Sequence, residues 1–508
     1  MQMDDLARLA AHHGVASSYQ PAEDVTVQVP PATVRAVLGL IGVPADTPEA
    51  VRQLADSAER EAAGRLLPPT LVQWRGEPAP AALTGLPPGT RLRVTLEDGA
   101  GEAAWDARLP LGVHRLTAET PDGRTAAPER AHGLLVQLYS LLSERSWGMG
   151  DLGDLAELAR WAARTHGAGF IQVNPLHAAV PGTPTDPSPY RPASRRFPDP
   201  VYLRVEDLPE WEACPDRAAL AELARRGGEL RREVLEKGAL IDRDAVWALK
   251  RAALELLYSV PRTPAREAAY RAYRAAQGQG LDLHAAWCAA AAGEDPGARA
   301  DFHAWLVWLT DTQLTAAQRA AREAGMEVGI VHDLAVGVHP EGSDARFGPF
   351  HARHVSVGAP PDAFNARGQD WGLPPWRPDA LEGSAYAPFR ALLRGVFRYA
   401  GAVRVDHVMG LFRLWWIPQG TPPAEGTYVS YDGEAMLAVL VLEAHRAGAV
   451  VVGEDLGTVE PRVRGALARR GILGTSVLWF ERDWSGDGQP LAPGAWRSDC
   501  LATVTTHD

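Results

Sequence analysis

From position 134 to the end of the chain, short apolar runs alternate with longer stretches in which apolar residues return every three or four positions. Runs of that length with no polar alternation predict buried strands, and the 3.6-residue period predicts amphipathic helices. The strand candidates are 134–141, 170–175, 328–334, 403–407, 450–454, 476–480 and 501–506. Helical patterning over 152–165, 312–324 and 435–447 separates several of them. Strand and helix in alternation, with strands apolar on both faces, predict an α/β chain with a parallel sheet and helices outside. The architecture expected is a (β/α)8 TIM barrel. Seven strands can be read and the seventh reaches the last residue, so the eighth is expected to be missing and the chain to be cut short at its C-terminus.

The gap from 176 to 327 is too long for a crossover. Ala- and Arg-rich helices over about 216–277 and 299–324 predict a helical insertion at about 205–325. Ahead of the barrel, Leu6, Leu9 and Ala10 recur at helical spacing, and Pro31 suits the first turn of a helix ending near Ile41. Residues 1–65 therefore read as a helical segment. Strand-like text at 71–74, 91–96 and 114–117, with turn signals at Glu97-Asp98-Gly99 and Pro121-Asp122-Gly123, predicts a small, sandwich-like β module over 66–130. The barrel is assigned 131–508.

Composition narrows the classes. Apolar residues at 46% and charged residues at 22% are globular values and exclude a disordered or fibrous chain. The longest apolar run, 436–442, is far short of a bilayer span, so no membrane partner is expected. The start, Met1-Gln2-Met3-Asp4-Asp5, carries acids where a secretory leader carries bases, which predicts a cytoplasmic protein. Net charge is −12 with the basic residues scattered, so nucleic acid is not an expected partner. Cys214, Cys288 and Cys500 are too far apart for a zinc motif or a disulfide framework. Tryptophans, at 16, outnumber the 11 tyrosines and the 10 phenylalanines. Such an excess serves either a core or sugar stacking.

Three candidate strands end in acids: Val403-Arg404-Val405-Asp406-His407, Val451-Val452-Gly453-Glu454-Asp455 and Thr505-Thr506-His507-Asp508. In a barrel, functional groups sit at the C-terminal strand ends. Side chains alternate along a strand, so Arg404 shares a face with Asp406, Val452 with Glu454, and Thr506 with Asp508. Converging carboxylates suit either a divalent cation or glycosidic cleavage. Arg404 favours the second, because a guanidinium on the same face holds Asp406 ionised as a nucleophile and repels a metal. Glu454, with apolar Val450 and Val452 below it, is the better candidate for a general acid. No metal or other cofactor is expected.

The same stretches resemble glycoside hydrolase family 77, the 4-α-glucanotransferases known as amylomaltase or disproportionating enzyme. The likeness spans about 134 to 508 and rests on these stretches, in the family's order. They begin with Gln137-Leu138-Tyr139-Ser140-Leu141, Trp147-Gly148-Met149-Gly150-Asp151-Leu152-Gly153-Asp154-Leu155 and Asn174-Pro175-Leu176-His177. Ser188-Pro189-Tyr190, Ser194-Arg195-Arg196-Phe197, Gly358-Ala359-Pro360-Pro361-Asp362 and Gly368-Gln369-Asp370-Trp371-Gly372 follow. The last are Arg404-Val405-Asp406-His407, Gly453-Glu454-Asp455-Leu456-Gly457 and Thr506-His507-Asp508. The first 130 residues look like the extension of longer bacterial members.

The resemblance implies that Asp406 is the nucleophile, Glu454 the acid and then the base, and Asp508 the stabiliser of the distorted ring. It also implies that Arg404, His407, His507 and Asp333 surround the scissile bond, that Tyr190 stacks on the donor sugar, and that Trp371 covers the acceptor side. Plainer roles stand beside these: loop anchoring for Trp376, a satisfied strand-end position for His332, outer barrel packing for Trp415 and Trp416, and helix capping for Asp151 and Asp154. The implied activity moves α-1,4-glucan segments between maltooligosaccharides by a retaining double displacement. The alternatives are an α-amylase-type hydrolase and a non-catalytic α-glucan-binding protein. Products from maltotriose separate the three.

Overall fold

The computed structural model describes residues 2–22, 25–41, 43–45, 47–64, 93–95, 102–104, 115–117, 131–362, 365–457, 459, 461–483 and 488–505. Seven parallel strands follow one another in space in chain order. They are β1 Gly133–Val136, β2 Phe170–Val173, β3 Gly329–Leu334, β4 Ala402–Val405, β5 Val450–Gly453, β6 Gly474–Val477 and β7 Cys500–Thr503. Regular pairing links β1 through β5, a parallel bridge from Val452 to Leu473 carries the order on to β6, and β6 pairs with β7. Every residue of β3 and β4 is buried, as befits central parallel strands covered on both faces. Leu134 and Leu135 of β1 are each 38% exposed, so burial falls off toward that edge of the sheet.

The helix after β1, Leu152–His166, begins in a reciprocal capping box of Asp151 and Asp154 and ends at Gly167 in the left-handed region. The capping expected of both aspartates is present. Both also bind the Arg204 guanidinium, which is 2% exposed, and so tie the entry of the insertion to this helix.

Between β2 and β3 stand helices Arg217–Lys237, Arg243–Tyr258, Pro264–Gln277, Gln279–Ala291 and Pro296–Glu323. They share a core that includes Leu254, Tyr270, Trp305 and Trp308. The last helix leaves that core halfway along: its Leu314, Ala317 and Ala321 pack with Leu155, Ala159 and Ala162 of the barrel side. One continuous helix therefore fixes the insertion to the barrel.

A four-stranded antiparallel sheet falls outside the expectations from sequence. Its order is Gln369–Leu373, Val355–Ala359, Arg413–Pro418, Thr427–Ser430. Trp415 and Trp416 lie in its third strand and are at most 1% exposed. The strand itself was not expected, but Trp416 shares a core with Val403 and Val405 of β4, in keeping with packing against the outside of the barrel. The N-terminal helices Gln2–His12, Pro31–Leu40 and Pro48–Gly64, with a hairpin of Ser18–Ala22 and Val25–Gln28, dock on the sheet's far edge. Val15 bridges Val429, the Ser430 amide donates to Gly14 O at 2.6 Å, and Tyr19 meets Trp415 edge to face at 4.8 Å. Leu6, Leu9, Val37 and Leu38 share one core with Trp416 and Val429.

Within 66–130, strands Arg93–Thr95, Glu102–Ala104 and Arg115–Thr117 form a three-stranded antiparallel sheet. The strand expected at 71–74 and both turn signals lie outside the described residues. No helix among the described residues is long and apolar enough to cross a membrane.

Candidate active site

Parallel register sets the arrangement. Asp333 of β3 stands opposite Arg404 of β4, and Val405 opposite Gly453 of β5. Asp406 and Glu454 are each the first residue past the end of a strand, so both acids lie at the C-terminal rim. Period two then turns Asp406 to the face of Arg404, as the sequence pattern predicts.

One Nη1 of Arg404 donates to Asp333 Oδ1 at 2.6 Å and to Asp406 Oδ1 at 2.9 Å. The Tyr190 hydroxyl, from the loop after β2, donates to the other Asp333 oxygen at 2.7 Å. Side-chain exposure separates the two aspartates: 0% for Asp333 and 15% for Asp406. Asp333 thus supports its neighbours, and Asp406 reaches the open side. Burial works against the charge on Arg404, but Asp333 and Asp406 outweigh it and hold the guanidinium well above its ordinary pKa. Burial first, and then the Asp333 charge, push the Tyr190 phenol far up, so it stays a protonated donor.

At the end of β4 the chain turns sharply. His407 adopts the left-handed region, φ 45° and ψ 62°, unusual for a residue with a Cβ. The turn sends the His407 amide to Glu454 Oε2 at 3.0 Å, while the Leu456 amide donates to Oε1 at 2.7 Å. Glu454 is thus held through both oxygens by backbone. Gly453 before it allows close packing, since a Cβ there would lie 3.0 Å from the Val408 side chain. Burial lowers the His407 pKa, against the pull of Asp406, so the ring is neutral near pH 7. The Trp371 ring meets it edge to face at 5.2 Å and is fixed by an indole hydrogen bond to Gln369.

Tyr190, Asp333, Arg404, Asp406, His407, Glu454 and Trp371 are therefore brought together from five segments. His507 and Asp508 lie outside the described residues. Trp376 stacks on His351 at 4.1 Å, in keeping with the plainer role weighed for it. His332 is buried edge to face against Tyr399, but its Nε2 has no hydrogen-bond partner, so the fully satisfied strand-end histidine weighed for it is not what is found.

Supporting groups that sequence reasoning did not single out complete the rim. Asp455, 2% exposed, takes a fork of two 2.6 Å bonds from Arg497 and the Thr475 amide at 2.9 Å, which fastens the end of β5 to β6. Arg195 donates to Ala335 O and Val336 O just past β3. His177, which burial lowers to a pKa of about 3, accepts the Ala335 amide at 3.3 Å. All three fall inside recognised motifs, but their partners are 20 to 158 positions away and leave no local pattern.

Chemically, the rim offers a partly exposed carboxylate with a fixed cation beside it and a second carboxyl on the next strand. Among the described residues, no three His, Cys, Asp or Glu side chains group as metal ligands.

Comparison with known proteins bears on this arrangement. Residues 136–297 and 289–508 match the family model of glycoside hydrolase family 77, described as 4-alpha-glucanotransferase. A 4-alpha-glucanotransferase of Mycobacterium tuberculosis is 46% identical over 99% of this chain and 79% of its own length. One from Haemophilus influenzae is 34% identical over 75% of this chain and 59% of its own length. The crystal structure of amylomaltase from Corynebacterium glutamicum superposes with a TM-score of 0.89 at 38% identity, covering 100% of this chain and 79% of that one. Amylomaltase from Streptococcus agalactiae in complex with acarbose, 18% identical with a TM-score of 0.59 over 75% of this chain and 80% of that one, shares the fold. With the strand order and rim described above, these matches establish that the chain belongs to glycoside hydrolase family 77, the 4-α-glucanotransferases, built on the TIM barrel.

Proposed function

We propose that this enzyme transfers α-1,4-glucan segments between maltooligosaccharides, with Asp406 as nucleophile and Glu454 as acid and base. In the first step Asp406 attacks the anomeric carbon as Glu454 protonates the leaving oxygen, giving a β-linked glycosyl-enzyme. In the second, Glu454 takes the proton of an acceptor sugar hydroxyl, which displaces Asp406 and restores the α-linkage.

The observation that carries the reading is the single Arg404 nitrogen bonded to both Asp333 and Asp406. It keeps Asp406 ionised and aimed, and it lets the fully buried Asp333 hold Tyr190 at the same time. Tyr190 then presents its ring to the donor sugar from a fixed position. Trp371, held at His407, covers the acceptor side. Asp508 and His507 complete the proposed site.

Transfer outruns hydrolysis only when a bound hydroxyl reaches the intermediate before water. That requires an acceptor in near-attack geometry and a sheltered site. The strand Gln369–Leu373 that carries Trp371 supplies such cover in this proposal. The free thiols Cys214, Cys288 and Cys500 suit a reducing compartment, and we place the enzyme in the cytoplasm.

The test is a pair of isosteric variants. Asp406→Asn and Glu454→Gln should each abolish turnover while circular dichroism and thermal unfolding stay near wild type. A folded Asp406→Asn enzyme with substantial activity would move the nucleophile elsewhere.

A further inference from the structure

Just past β3 the chain turns at Ala335 and Val336, and the peptide between Leu334 and Ala335 is held on two sides. Its carbonyl, Leu334 O, accepts the backbone amide of Asp406 at 3.0 Å. Its N–H, that of Ala335, donates to His177 Nε2 at 3.3 Å. Asp406 is therefore tied to this turn by its main chain, while its side chain accepts from Arg404 at 2.9 Å. The next two carbonyls, Ala335 O and Val336 O, both accept from Nη1 of Arg195, at 3.0 and 2.8 Å.

Arg195 lies in strand Ser194–Pro198, which follows the Tyr190 loop, and is 5% exposed. Its amide donates to Asp344 Oδ2 at 2.9 Å. Its guanidinium lies over the Trp376 ring, 5.4 Å from the centroid, and the Tyr431 hydroxyl donates to Trp376 O at 2.8 Å. Strand, aspartate and indole thus fix where the guanidinium points. Burial presses its pKa down to about 10, with Asp344 and Tyr431 opposing. Aiming Nη1 at the turn also leaves Nε buried without a hydrogen-bond partner. An apolar side chain fills a core at lower cost, because a buried cation gives up its hydration. Packing alone does not account for a cation here, whereas two buried carbonyl oxygens to be held in place do.

We propose that Arg195 is a positioning residue for the nucleophile: it fixes the turn after β3 to which the Asp406 main chain is tied. The inference rests on Asp406 being the nucleophile, and Arg195 acts at one remove, through Ala335 and Leu334. Displacement at the anomeric carbon needs the carboxylate oxygen in near-attack geometry, and a misplacement of about 1 Å costs about a hundredfold in rate. Without Arg195 the two carbonyls lose their buried donor and the turn relaxes toward other partners. Leu334 O then shifts, and the Asp406 amide shifts with it. The effect falls on formation of the glycosyl-enzyme rather than on sugar binding, because Tyr190 keeps its own bond to Asp333.

The test is single-turnover release of 4-nitrophenol from 4-nitrophenyl α-maltotrioside with enzyme in excess, beside steady-state kcat and KM with maltotriose. Wild type, Arg195→Gln and Arg195→Lys are compared. A single-turnover rate constant does not change with the fraction of enzyme that is folded, so lost stability alone leaves it where it is. Arg195→Gln should lower it about tenfold or more. KM should stay within about twofold of wild type, as for an interaction that acts on the chemical step. Lysine keeps a cation there but ends one bond short of Nη1, so Arg195→Lys should fall between, about threefold below wild type. A wild-type rate constant in Arg195→Gln, or in Arg195→Lys where the glutamine variant does not fold, would overturn the proposal. A loss confined to KM would overturn it too. Asp406→Asn, run alongside, separates this outcome from the glucan-transfer reading. No release by that variant keeps Asp406 as nucleophile whatever Arg195 does, and release at the wild-type rate would overturn both.

Discussion

Arg404 bonds two carboxylates with one nitrogen, and one of them is fully buried. Removing the cation strands the Asp333 charge in a medium that cannot solvate it. Breaking a buried pair in this way costs about 3–5 kcal/mol. Arg404→Gln should therefore lower the free energy of unfolding by about that much in denaturant titration, besides abolishing turnover. A variant as stable as wild type would show that Asp333 does not depend on Arg404. Tyr190→Phe is the milder probe. It keeps the ring but leaves one Asp333 oxygen without its phenol donor, at a cost of about 1–3 kcal/mol. Turnover should fall while the fold persists, and an unchanged kcat would deny the phenol any part in positioning. The bond between Arg404 and Asp406 was legible in the sequence, because two residues of one strand share a face. Tyr190 and Asp333 are 143 positions apart, so their pairing was beyond local pattern.

All seven barrel strands were readable as short apolar runs; for the central ones, such as β3 and β4, the reason is that a parallel strand buried on both faces has little polar alternation to blur it. Their ends were less readable: β4 stops at Val405, and the left-handed turn at His407 follows from tertiary packing. The antiparallel sheet of Val355–Ala359, Gln369–Leu373, Arg413–Pro418 and Thr427–Ser430 went unseen. Its strands are four to six residues long, and glycines, prolines and charged residues interrupt them. This sheet carries Trp371 near one edge and receives the N-terminal helices at the other. Leu9, 0% exposed, lies in the core they share with it. Leu9→Ala should cost about 2–5 kcal/mol by transfer and cavity terms. If the helices are an integral part of the sheet's core, the loss will appear in one cooperative transition seen by both tryptophan fluorescence and circular dichroism. A separate early transition would mean that the N-terminal helices unfold on their own.

Over the whole molecule, buried acids give stability a pH dependence. Burial raises Asp311 from 3.8 to about 6, against the pull of Arg398. Asp151 rises to about 6 as well, mainly by burial, with Lys250 opposing and Asp154 adding to it. A carboxyl whose pKa is higher folded than unfolded binds its proton more tightly in the folded state. Its contribution is full below pH 3.8 and is lost as pH rises through about 6. For Asp311 the span is worth at most about 3 kcal/mol. Asp311→Asn should flatten the dependence of unfolding temperature on pH between about 4 and 7, and gain relative to wild type above pH 7. An unchanged profile would remove Asp311 as its source. The central claim concerns what the assembled rim does to a glycosidic bond. It is tested most directly by incubating the enzyme with maltotriose and following both the product sizes and the total reducing ends. Glucose appearing beside longer maltooligosaccharides, with reducing ends nearly constant, is the result expected of transfer. Reducing ends rising in step with substrate loss would make the enzyme a hydrolase and contradict the account.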